Sequence, residues 1–230
     1  MLYFEDRNRV DNCGSELTPA GTSIDLGRDE LDGPAYAEYR WVFGGCAGAI
    51  GYRRAMLDDV GFFDTDFFMA YQDLDLSFRA QLRGHPCVFV PRAIVFHHYH
   101  ATVKRSPAKH VFYSQRNIET VYLKNMPLAL IVRSLPERML YELGGAAYFC
   151  RMGTGRAFVK AKLEVIRQLP AILRKRREIQ RRKTISNPQL RALMNGNWIG
   201  AKWRKLLSAW HGPSRESVRA RRSSPYGRDA

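Results

Sequence analysis

The stretch Phe68-Met-Ala-Tyr71-Gln72-Asp73-Leu74-Asp75-Leu76-Ser77-Phe78-Arg79-Ala80-Gln81-Leu82-Arg83-Gly84 decides how the chain is read. Leu74, Phe78 and Leu82 recur at i, i+4 and i+8, which builds one apolar face and predicts a helix over 72–84. Asp73 and Asp75 stand in its first turn, and Arg83-Gly84 marks its end, as capping and the helix dipole favour. Arg79 follows Asp75 by four residues, the spacing of a surface ion pair. Upstream, Arg53–Val60 reads as a short helix stopped by Gly61, and Phe62–Tyr71 as an aromatic, packed loop. Before them, Trp41–Tyr52 is apolar with four glycines, Gly44, Gly45, Gly48 and Gly51. Glycine in such a run implies that something approaches the backbone closely. Downstream, Pro86–Pro91 and Ala93–His97 read as two short strands. Residues 41–98 are therefore mixed α/β. Residues 1–40, rich in Gly, Asp and Pro, read as loops with at most one short strand.

Beyond residue 103 the pattern turns helical. Val111–Lys124 and Leu128–Phe149 are the first two helical stretches. Ala157–Lys175 sets Phe158, Val165, Ile166, Leu169, Ile172 and Leu173 among lysines and arginines, a basic amphipathic helix that Pro170 is expected to kink. Residues 174–183 form a nearly continuous basic run, and 211–230 read as a disordered Arg/Ser/Pro-rich tail. The expected division is 1–125, 126–210 and 211–230.

The chain has 230 residues, 45% apolar and 26% charged, which is globular rather than disordered. Its four cysteines, Cys13, Cys46, Cys87 and Cys150, are too few and too scattered for a disulfide scaffold or a Cys-x-x-Cys site. No run is long and apolar enough to span a bilayer, and the first residues lack a secretory signal's order, so a cytoplasmic setting is expected. The net charge of +15 is unevenly placed. Residues 1–102 carry 9 Arg, no Lys and 15 acidic residues, a balance of −6, whereas residues 103–230 carry 28 Lys+Arg and 7 acidic residues. A basic back half calls for a polyanionic partner. Nucleic acid fits poorly, because no helix-turn-helix, zinc-finger or RNA-recognition signature is present and aromatics do not interleave with the basic run.

Two groups of residues carry candidate chemistry. Asp73 and Asp75, carboxylates at a helix start, read as caps or dipole partners on spacing alone. His97, with His98 and His100, supplies metal ligands, a proton relay or plain polar residues on a loop.

Several motifs in order resemble family 2 glycosyltransferases. Gly44-Gly-Cys-Ala-Gly-Ala-Ile-Gly-Tyr-Arg-Arg-Ala-Met-Leu-Asp-Asp-Val-Gly-Phe-Phe-Asp64 looks like their acceptor-side segment. Residues 68–84 resemble the segment with the Glu-Asp-x-Asp-Leu-x-x-Arg motif. Val90-Pro-Arg-Ala-Ile-Val-Phe-His97 is similar to their Val-Pro-x-Ala-x-Val-x-His strand, and Arg116-Asn117 to a pair that follows it. The resemblance is clear over about 40–125. It implies an α/β fold, the C-terminal part of a GT-A (Rossmann-like) domain of rhamnosyltransferase or galactofuranosyltransferase type, followed by a basic α-helical tail.

The resemblance implies inverting transfer of a sugar, a hexosyltransferase reaction, from a nucleotide-diphosphate donor to a saccharide or polyprenyl-linked acceptor in cell-surface polysaccharide synthesis. Asp73 would be the general base. Gly44, Gly45, Gln72, Asp75, Arg79 and Arg116 would contact substrate, and His97 would help hold a divalent metal, Mg or Mn. Gln72 departs from the family's Glu. The family's nucleotide-binding half, with its Asp-x-Asp motif, has no counterpart; Asp64-Thr-Asp66 lies too close to Asp73 and fits a structural Gly-x-Phe-Asp stretch instead. A truncated chain, or an inactive remnant or subunit with a membrane- or nucleic-acid-binding tail, is the alternative. The basic helices would suit an anionic membrane surface at the cytoplasmic face.

Overall fold

The computed structural model describes residues 1–98, 107–197 and 200. His100 and the tail expected over 211–230 lie outside them. The chain divides into two units, Met1–Asn195 and Gly196–Ala230, and the fold that follows is that of the first.

In chain order come β1 (Leu2–Tyr3), β2 (Ser15–Leu17), β3 (Ser23–Asp25), a 3-10 turn (Pro34–Tyr36), β4 (Arg40–Val42), α1 (Arg54–Val60) and α2 (Gln72–Leu82). After them come β5 (Cys87–Phe89), β6 (Phe96–His97), α3 (Pro107–Asn125), α4 (Leu128–Arg133), α5 (Leu135–Arg151), α6 (Gly155–Arg182) and α7 (Asn187–Ala192). The strands form three two-stranded ribbons: β1 with β6 in parallel, β2 with β3 and β4 with β5 antiparallel. Residues 1–40 thus hold three strands and the start of a fourth, more than the one expected. Two of the ribbons pair residues far apart in sequence, Leu2 with Phe96 and Trp41 with Val88, so no local alternation announces them.

The core forms where α2 lies. Leu74, Phe78 and Leu82, the predicted face, are all buried there with Leu17, Phe43 and Ile118, and Phe43 meets Phe78 edge-on at 5.3 Å. Leu130 of α4 and Leu190 of α7 join the same cluster, so the junction expected at 125/126 falls inside one packed unit.

The helical half departs from its sequence reading in two places. Leu128–Phe149 is two helices rather than one, broken at Ser134, whose hydroxyl donates to the Leu130 carbonyl at 2.7 Å and which is followed by Pro136 in the first turn of α5. The basic run 174–182, by contrast, continues α6, which passes through Pro170 without a break in helical assignment. Its reason is tertiary. Phe158, Ala161, Val165 and Ile172 form a buried stripe, α6 packs along α3, and Arg176 donates to the Leu123 and Met126 carbonyls, both at 2.6 Å. Gln180 donates to the Asn125 carbonyl at 2.7 Å. These side chains satisfy carbonyls that the end of α3 leaves unpaired.

A buried ionic network ties these layers together. Asp75 is wholly buried; its carboxylate meets Arg79 at 3.0 Å, Lys124 at 2.8 Å and Asn125 at 2.8 Å. Lys124 also reaches Asp64 at 2.6 Å, and Lys175 of α6 bonds both Asp64 and Asp66. The Asp75–Arg79 pair expected at the surface is therefore an interior one. Asp64-Thr-Asp66 has the structural place that its spacing indicated.

Burial alone would raise the Asp64 carboxyl, but Lys124 and Lys175 hold it well below its ordinary value of 3.8. A depressed carboxylate contributes stability above its unfolded pKa and loses that contribution as pH falls through the folded value. Denaturant midpoints should thus fall steadily below about pH 4, and Asp64→Asn should flatten that acid limb. Lys124→Met, which removes the cation shared by Asp75 and Asp64 but leaves them Arg79 and Lys175, should cost about 1–3 kcal/mol in urea unfolding at neutral pH.

Candidate functional site

The site is built at the first turn of α2. The two residues before the helix, Ala70 (φ 63°) and Tyr71 (φ 65°), are left-handed. Non-glycine residues enter that region at a cost of order 1–3 kcal/mol each and stay there only when neighbours hold them. Asn117 of α3 is the holder: its Nδ2 donates to the carbonyls of Met69 at 2.6 Å and Ala70 at 2.9 Å. Arg116 supports the same loop, with Nη2 on the Asp66 carbonyl at 2.5 Å and Nε on Asn117 Oδ1 at 2.8 Å. The Arg116-Asn117 pair singled out in the sequence is therefore a clamp on the turn that feeds Asp73.

Tyr71 occupies the cap position, and no side chain caps α2, so Asp73 and Asp75 are not N-cap residues. Asp73 instead joins the helix to the glycine-rich loop. Its Oδ2 accepts from the Ala47 backbone N–H at 3.0 Å and its Oδ1 from the Leu74 N–H at 2.9 Å. Burial pushes the Asp73 carboxyl up from its ordinary value, against those two hydrogen bonds, and the Asp25 charge adds to the rise. Beside it in sequence, the buried side-chain oxygen of Gln72 has no hydrogen-bond partner among the described residues, and neither has the hydroxyl of Tyr52. The Tyr52 hydroxyl is pushed up by its burial first and by the Asp73 charge next, and its ring stands edge-on to Phe63 at 5.9 Å. Sequence reasoning passed over Tyr52; its signal was an aromatic residue directly after Gly51 in a run otherwise made of small and apolar residues. A cavity of about 680 Å³, of ligand-pocket size, is lined by Tyr52, Gly45, Cys46 and Ser77 among others, though not by Asp73 or Gln72 themselves.

The glycines belong to the packing of this loop. A Cβ on Gly44 would sit 2.4 Å from the Ser77 hydroxyl and 2.5 Å from its Cβ, so the close neighbour is α2 rather than a substrate. On Gly45 it would meet Ile50 at 2.6 Å. Arg79, expected on substrate, spends its guanidinium on Asp75 and on the carbonyls of Val60 (2.5 Å) and Phe62 (2.7 Å). Like Asp75, it supports α2 from inside.

His97 lies in β6 opposite Tyr3. Its Nδ1 is 2.7 Å from Asp11 Oδ2, and Asp11 also faces Arg28 at 3.3 Å. His98 pairs with Glu5 at 2.8 Å. Among the described residues no group of three or more His, Cys, Asp or Glu is placed to hold a metal ion. The donors present at His97, one imidazole and one carboxylate, do not fit a divalent ion by themselves.

No family model matches the chain, and no solved structure does. Over 84 residues it is 36% identical to N-acetylglucosaminyl-diphospho-decaprenol L-rhamnosyltransferase of Mycobacterium tuberculosis, in both strain CDC 1551 / Oshkosh and strain ATCC 25618 / H37Rv. The match takes in 36% of this chain and only 26% of the length of those relatives. It relates part of the chain to a glycosyltransferase. No helix among the described residues is long and apolar enough to cross a membrane.

If Asn117 holds the left-handed turn, Asn117→Ala should cost about 1–3 kcal/mol in urea unfolding, because two interior carbonyls lose their donor. Amide NMR shifts should move at Ala70–Asp73 and stay fixed in the β2–β3 ribbon. Shifts spread evenly over the chain would place the role of Asn117 elsewhere.

Proposed function

We propose that the chain is the acceptor side of an inverting glycosyltransferase, with Asp73 as its general base. The observation that carries this reading is a carboxyl raised by burial, set on a strained, clamped turn, next to a buried Gln72 oxygen without a partner. A sugar hydroxyl is a poor nucleophile at neutral pH, so a base positioned on it and poised above the usual carboxylate range has work to do. In the proposed step the acceptor oxygen attacks the anomeric carbon while the bond from that carbon to the diphosphate oxygen breaks. The hydroxyl proton passes to the Asp73 carboxylate, the nucleoside diphosphate leaves, and the configuration inverts.

Gln72 Oε1 and the Tyr52 hydroxyl would bond acceptor or donor hydroxyls. Asp75, Arg79 and Arg116 would act as positioning residues. His97 offers one nitrogen toward a diphosphate or its counter-ion. The name of the matched relatives supports a lipid-linked acceptor, a polyprenyl-diphosphate sugar, and a deoxyhexose donor as the first pair to try. Such chemistry would sit at the cytoplasmic face of a membrane, in polysaccharide assembly.

The test is transfer from a panel of nucleotide sugars, dTDP-L-rhamnose first, to N-acetylglucosaminyl-diphospho-polyprenol, with product mass as readout. Asp73→Asn should lower kcat by about 10²-fold or more at unchanged fold, whereas retained turnover would remove Asp73 from the chemistry. No transfer with any donor would favour the alternative, a catalytically silent subunit or remnant. The pH dependence has a definite sign. Activity should rise as Asp73 ionises, so the acid limb of kcat/KM should lie above the 3.8 of an ordinary aspartate, and a limb at or below that value would contradict a buried base.

A further inference from the structure

Helix α5 is built inside out. Its inner side carries Arg138, only 4% exposed, which pairs with Glu119 of α3 and with Glu142 at 2.6 Å and lies 4.6 Å over the Tyr122 ring. Lys162 of α6 completes the group, 2.6 Å from both glutamates. The outer side carries Leu135, Met139, Leu140 and Leu143, each at least half exposed, with Pro136, Gly144 and Ala147 between them, and its one charged residue, Arg151, stands in the last turn. A surface helix ordinarily shows the reverse, apolar side in and charged side out. Leu128 and Val132 of α4, about two-thirds exposed, add to the same kind of surface.

Helix α6 repeats the feature. Besides the stripe that packs inward, Val159, Leu163, Ile166 and Leu173 recur at i, i+4, i+7 and i+14 and are exposed. At 100° per residue, this stripe lies between Lys162, which bonds α5, and a row formed by Arg156, Lys160, Arg167 and Arg174. All four are exposed. The apolar surface thus begins at α5 and ends at a basic edge. Arg133 and Arg151 are exposed too, while Glu137, Glu142 and Glu164 are all partly buried. From 126 to 177 every exposed charge is positive. Exposed apolar surface over three neighbouring helices marks an interaction face. An uncharged face with a rim of one sign is the pattern of a protein lying in a bilayer interface, apolar residues among the acyl chains and cations at anionic headgroups.

We infer that the outer faces of α4, α5 and α6 form a docking surface for an anionic phospholipid membrane. This goes beyond the transferase reading and stands on the helix faces alone.

The test is sedimentation of the full chain with vesicles of phosphatidylcholine, with and without phosphatidylglycerol, in the absence of donor and acceptor. Binding is expected with phosphatidylglycerol and should weaken as salt rises. Leu140→Gln with Leu143→Gln should lower the partition coefficient at least tenfold, since both leucines lose their apolar burial among the acyl chains. Both sites are exposed, so melting temperature should hold; Leu135→Gln with Met139→Gln is the second pair should the first misfold. Arg156→Gln with Lys160→Gln and Arg174→Gln should weaken binding and flatten its salt dependence. Absence of vesicle binding would overturn the proposal. So would binding indifferent to the leucine pairs, or a leucine-dependent dimer in solution, which would assign the face to a second copy. None of these outcomes depends on whether the chain transfers sugar.

Discussion

A carboxylate sealed away from water must be paired, and the fold is arranged around meeting that demand at Asp75. Its two oxygens are taken by Arg79, Lys124 and Asn125, and Lys124 carries the network on to Asp64, which Lys175 binds from α6. Removing one member would leave an uncompensated interior charge, which is far costlier than losing a surface pair. The network therefore fixes α2, the loop before it, α3 and α6 relative to one another. It also sets the direction of Asp73. Two residues apart on a helix means about 200° around its axis, so with Asp75 turned into the network, Asp73 is left to face the glycine-rich loop and Ala47.

The strained turn belongs to the same design. Left-handed backbone at Ala70 and Tyr71 is unfavourable in isolation and is held by Asn117, about two helical turns before the Lys124 and Asn125 that meet Asp75. Helix α3 thus clamps both ends of the problem: the entry to α2 and its buried charge. A carboxylate carried by so constrained a turn loses little freedom when a ligand arrives, which is the condition a positioned base requires. The partial likeness to a rhamnosyltransferase falls on a chain that provides such a carboxylate.

The helical half solves a different problem. Once Glu119, Glu142, Arg138 and Lys162 are gathered inside, the outer side of α5 is left with apolar residues as far as Arg151 in its last turn. The basic residues of α6 split likewise. Arg176 goes inward to the last carbonyls of α3, and Arg156, Lys160 and Arg174 go outward beside leucine and isoleucine. Charge in this region is divided between two surfaces, one internal and one exposed.

The sequence by itself determined whatever depends on local period. The apolar row Leu74, Phe78 and Leu82 specified α2 and its buried face, Gly61 closed α1, and the spacing of the motifs singled out Asp73. The family resemblance implied a structural place for Asp64-Thr-Asp66, whose ion pairs to Lys124 and Lys175 only the fold supplies. Other features depended on contacts distant in sequence, and only the tertiary structure decided them. The pairing of Leu2 with Phe96 made strands in a segment that read as loop. Lys124 turned the Asp75–Arg79 pair, local in spacing, from a surface contact into an interior one. Ser77 accounted for Gly44, and Asn117 for a turn whose strain leaves no mark in the residues that bear it. The inward turn of Arg138 reversed the faces of α5. Composition records that a helix has apolar and charged residues; which of them meet water follows from the ion partners that other helices bring.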